Sequence, residues 1–113
     1  MTINELKSII ENGGATLAKS GAAVNFDRGY QVSKRDCYTL NAENVRRVLR
    51  AVNSLLRFIK SGEFVGLWVD NGMIYIDISE RIPRLADALR LGIERKQKSI
   101  FDWCTRLCFG CEV

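Results

Sequence analysis

The chain predicts an α+β domain: a mixed, mainly antiparallel sheet with about three helices packed mostly on one face. Three observations lead there. Apolar residues recur at helical spacing in three separate segments. The run FVGLWVDNGMIYIDIS alternates apolar and polar residues around Asn71-Gly72, the residue pair of a two-residue hairpin turn. Helical and strand segments also intermix in the order α-β-β-β-α-β-β-α-β, which suits a sheet covered from one side. With 113 residues, 47% of them hydrophobic, 27% charged and a single proline, the chain can bury one core without disulfides or metals.

Thr2-x-x-Glu5 is a capping box and opens a helix with Ile3, Leu6, Ile9 and Ile10 on one side; Asn12-Gly13-Gly14 stops it. ATLAK and AAVNF flank Ser20-Gly21 and read as a small hairpin, followed by a third strand around GYQVS. Asn41 is placed to cap the longest helix, AENVRRVLRAVNSLLRFIKS, which runs to Gly62. Val45, Val48, Leu49, Val52, Leu55, Leu56 and Ile59 form its apolar side. At about 100° per residue, Arg46, Arg50, Arg57 and Lys60 fall within an arc of roughly 80° opposite that side.

In the hairpin, pairing Asp70 with Met73 sets the register outward. Val65/Ile78, Leu67/Ile76 and Val69/Ile74 then face the core. Phe64/Ser79, Gly66/Asp77, Trp68/Tyr75 and Asp70/Met73 occupy the other side. A third helix follows Pro83 in RLADALRLGIERK, with Leu85, Leu89 and Ile93 inward, and KSIFDW supplies a closing strand. The single domain is expected over residues 1–103, with 104–113 as a cysteine-containing C-terminal tail.

No apolar run approaches the roughly 20 residues of a membrane span. The first residues lack both the basic and the apolar regions of a secretory signal, so a cytoplasmic protein with reduced thiols is expected. The absence of histidine removes Ser–His and Cys–His catalysis and His-ligated zinc. Neither G-x-G-x-x-G nor a P-loop is present, and no cofactor is expected. Asp70 and Asp77 share a side of the hairpin but stand about 13 Å apart at about 3.4 Å per residue, too far for two-carboxylate hydrolysis. No enzyme class is indicated.

Cys104, Cys108 and Cys111 form C-x-x-x-C-x-x-C, the cluster spacing of radical S-adenosylmethionine enzymes, but that family carries it early in a much larger barrel. With Cys37 as fourth ligand, a thiolate zinc site is an alternative, set against a tail whose cysteines simply pack or fray. Trp68 and Tyr75 are core residues if their face is covered; if it is open they form a protein-binding patch, or equally a homodimer interface. The net charge of +4 gains meaning from the ordered stripe Arg46, Arg50, Arg57, Lys60, which suits a phosphate backbone or an acidic protein patch. Arg81, Arg84, Arg90, Arg95, Lys96 and Lys98 add a second basic region.

The segments FVGLWVDNGMIYIDIS through ALRLGIERKQKSIFDW, with GGATLAKSGAAVNFDRGYQVS upstream, resemble a small domain of accessory proteins from bacterial conjugative elements and phages. The resemblance spans roughly residues 12 to 103 and leaves the cysteine segment outside. It implies a mobile-element origin, and small proteins of such elements often bind and block host defence systems, anti-CRISPR proteins among them. The expectation is therefore a non-enzymatic binding protein that inhibits or modulates a host nucleic-acid-handling machine such as a CRISPR effector. Direct nucleic-acid binding and thiolate zinc binding are the alternatives.

Overall fold

A computed structural model describes residues 1–111. The elements are α1 (Ile3–Asn12), β1 (Gly14–Leu17), β2 (Tyr30–Asn41), α2 (Val45–Phe58), β3 (Glu63–Asp70), β4 (Met73–Ile82), α3 (Leu85–Glu94), β5 (Ser99–Asp102) and β6 (Leu107–Gly110). The six strands form one antiparallel sheet in the order β1-β3-β4-β2-β5-β6, curled into a half-barrel. The expected α+β class holds. One strand has moved: the segment after Ser20-Gly21 is not a strand, and the cysteine segment is.

α1 starts with the reciprocal capping box, Thr2 Oγ1 accepting from the Glu5 amide and Glu5 from the Thr2 amide, and ends at Gly13 in the left-handed region. The first hairpin shrinks to two backbone bonds between its arms, Ala18 N–H to the Ala22 carbonyl and Val24 N–H to the Thr16 carbonyl, around one bridge between Leu17 and Ala23. Alanine and glycine bury too little apolar surface there to extend the pairing.

α2 is shorter than its apolar pattern suggests. Asn41 does not cap it; the side chain accepts from the Glu43 amide in the preceding turn, and Asn44 is the flanking residue. At the other end Ile59 turns extended and is buried, so Lys60 is off the helix. Lys19 Nζ donates to the carbonyls of Leu56, Arg57 and Ile59 at 3.3, 3.1 and 2.6 Å, closing the helix end with a cation where the dipole favours one.

The β3–β4 register matches the expectation at every pair from Asp70/Met73 to Phe64/Ser79. Asn71 at φ 50° and Gly72 at φ 76° take the two left-handed positions of a type I′ turn. β2 is longer than its expected core GYQVS. It pairs with β4 along its whole length but bulges between Ser33 and Arg35 and between Asp36 and Tyr38. Each bulge inserts an extra residue, so simple alternation is lost.

All three helices lie on one face. Under α1 and α2, Leu6, Leu17, Val48, Val52, Ile59, Val65, Ile74 and Ile76 are almost wholly buried. Val32, Ala88, Ile100 and Cys111 form a second cluster under α3. Here the expected inward set changes in part: Leu89 packs partly buried against this cluster, but Leu85 and Ile93 are exposed, and Ala88 with Gly92 faces the sheet. Small residues one turn apart let the helix settle closely over Val32 and Ile100, which large leucines would prevent.

Candidate binding faces

The outer side of α2 places Arg46, Arg47, Arg50 and Arg57 in solvent. Arg46, Arg50 and Arg57 fall within about 40° of one another and span about 16 Å of helix axis. The ion pairs among the described residues are Lys34–Glu63, Arg90 with Asp87 and Glu94, and Arg95–Glu80; none involves these four arginines. Lys60 leaves the stripe because the chain turns there: its amide donates to Glu63 Oε1, while Lys34 holds Glu63 Oε2 at 2.8 Å. That hydrogen bond holds the Glu63 carboxyl below the usual range. Arg47 replaces Lys60 on the flank. With Arg50, Tyr38, Leu40, Ala51 and Ser54 it lines a cleft between α2 and β2 that combines cations with an exposed phenol ring.

The second basic region behaves differently. Arg90 is flanked by Asp87 and Glu94, Arg95 binds Glu80, and Arg81 lies over the Phe26 ring and donates to the Arg28 carbonyl. Those three cations are largely occupied within the chain.

The sheet's other face is half covered. At one end the loop after β1 lays Phe26 edge-on against Phe64 and Trp103, and Phe101 packs against Trp103. Beneath them Trp103 Nε1 donates to Gln31 Oε1, and Gln31 Nε2 to Ser79 Oγ. At the other end no described residue lies over the strands: Trp68 is 55% exposed and Tyr75 45%. The row Gly14–Trp68–Tyr75–Thr39 crosses four strands there.

One row further along stand Asp77 of β4 and Asp36 of β2, direct cross-strand partners. Sequence reasoning pairs Asp77 with Asp70 and misses Asp36, because β2 is expected to end before it. Gly66 makes room for the Asp77 carboxylate, whose Oδ1 occupies the space a side chain at 66 would need. The Asp77 carboxyl is raised to about 6, chiefly by burial and with a contribution from Asp36, against the opposing pull of the Ser33 hydroxyl and the Gly66 amide.

The four cysteines do not come together. Cys104 and Cys108 are exposed, Cys37 is half-buried at a bulge with its thiol 3.6 Å from the Arg35 carbonyl, and Cys111 is buried beside Gly92 and Ile100. Along β6 side chains alternate, so Cys108 points to the opposite face from Phe109 and the α3 side. Among the described residues no three of Cys, Asp and Glu gather as metal donors. The segment after Trp103 is not an appendage: β6 completes the sheet and Cys111 joins the core. Among the described residues no helix is long and apolar enough to cross a membrane. Neither family models nor curated proteins nor solved structures provide a match to this chain.

Proposed function

We propose that this chain is a non-enzymatic, cytoplasmic binding protein that docks through the outer face of α2 on an anionic surface of a host nucleic-acid-handling complex and modulates or inhibits it. The observation that supports this reading is the row of arginines at 46, 50 and 57, with Arg47 beside it, free of carboxylate partners among the described residues. Guanidinium groups held on one rigid helix face, and not neutralised in place, suit carboxylate or phosphate oxygens presented in line. The mobile-element resemblance supplies the class of partner, a defence complex of the CRISPR type.

The test is retention of such complexes from the native host by wild-type and R46E/R50E/R57E baits, both shown to be folded by circular dichroism. A nucleoprotein complex held by the wild type and lost by the variant is the expected result; equal retention sinks the assignment. Direct nucleic-acid binding is the second reading, favoured by the same unpaired guanidinium groups. In that case purified protein binds a DNA duplex or single-stranded RNA at low salt, and the triple variant lowers the slope of log K against log salt by about 3.

A further inference from the structure

The +4 charge is unevenly divided between the two sides of the molecule. On the open half of the uncovered sheet face, the outward positions are Gly14 and Thr16 of β1, Asn41, Thr39 and Asp36 of β2, Gly66, Trp68 and Asp70 of β3, and Met73, Tyr75 and Asp77 of β4. They include three aspartates and no lysine or arginine. The one strand-borne cation of this face among the described residues, Arg81, lies at the covered end and is held over Phe26. A basic protein thus carries an acidic aromatic platform.

We infer that this platform docks a cationic, arginine- or lysine-bearing extended segment of a partner protein. Trp68 and Tyr75 sit side by side in one row, both substantially exposed. Asp36 and Asp77 occupy the row on one side, Asp70 the row on the other. Successive same-face rows lie about 7 Å apart, the distance that two residues span in an extended chain. Alternate cations of an extended segment lying along β3 and β4 therefore meet carboxylate, ring face and carboxylate in turn. The rings supply the quadrupole and the apolar contact for the side-chain stems, and the aspartates supply the charge. Burial already opposes ionisation of Asp77, and an incoming cation offsets that cost. The face opposes the one that carries the α2 arginines, so the inference stands whether or not the α2 reading does.

The test uses a fluorescein-labelled octa-arginine peptide, read by anisotropy at low salt. The protein repels such a peptide overall, so binding requires a local acidic site. Wild type is expected to bind, W68A/Y75A and D36N/D70N each to lose at least tenfold in affinity, and R46A/R50A/R57A to keep it. Unlabelled octa-lysine should compete for the site, and an uncharged octapeptide of glycine and serine should not. Failure of the wild type to bind, or wild-type affinity retained in both sheet-face variants, overturns the proposal. Self-association of the unlabelled protein that both sheet-face variants abolish would also overturn it, by making a second copy's α2 the occupant. The substituted side chains at 36, 68, 70 and 75 are exposed, and the two independent double variants guard against a folding defect in either.

Discussion

Asp77 shows how one residue's position carries both a cost and a use. Its carboxylate fits only because position 66 has no side chain, and it shares its row with Asp36. A carboxyl held at about 6 when folded, against about 4 when unfolded, keeps in the folded state a proton that the unfolded chain has released. Stability therefore falls as pH rises from about 4 to about 6, and levels off above that. Asp77→Asn should remove this slope and raise stability at pH 7 by roughly 2–3 kcal/mol, as an upper figure for a shift of this size. Urea denaturation of both proteins at pH 4, 5, 6 and 7 checks it. Parallel curves across that range would mean that Asp77 titrates normally.

At the scale of elements, β6 and α2 carry most of the difference between expectation and structure. β6 binds the cysteine segment to the sheet, with the Cys111 amide donating to the Lys98 carbonyl at 2.9 Å. Burial raises the Cys111 thiol above its usual range, so it is both shielded and short of thiolate. Timed labelling with a thiol reagent in the native state should modify Cys104 and Cys108 rapidly and Cys111 slowest by at least tenfold, with Cys37 between. Cys111 reacting as fast as Cys108 would show that the segment does not hold its place.

The β3–β4 hairpin was readable residue by residue, because Asn71-Gly72 dictates the turn and alternation does the rest. α1 was readable through its capping box. β2 was not, because two bulges break the alternation and KRD dilutes the apolar signal just where the strand continues. The consequence reached the site: Asp36 stayed out of view. The end of α2 was hidden for a different reason. Ile59 is apolar and in helical phase, yet it is buried from an extended conformation, with Lys19 from a distant segment closing the helix. Long-range capping of that kind leaves no local pattern. In α3 the large residues point to the inward side only at Leu89; close packing selects Ala88 and Gly92 and leaves Leu85 and Ile93 exposed.

For the whole molecule, the half-barrel separates two surfaces of opposite character. Its helical side ends in the arginines of α2, and its bare side in aromatic rings among aspartates. A chain with modest net charge thereby offers a strong local field on each face. The proposed docking on anionic surfaces rests on the α2 arginines and not on net charge. Its most direct measurement is elution from a heparin column of three folded proteins: wild type, R46E/R50E/R57E, and a control with the same net charge, K7E/R84E/K98E, whose substitutions lie on exposed positions elsewhere. The control should elute close to the wild type, while the α2 variant should elute at much lower salt or flow through. Identical elution of the two variants would contradict it.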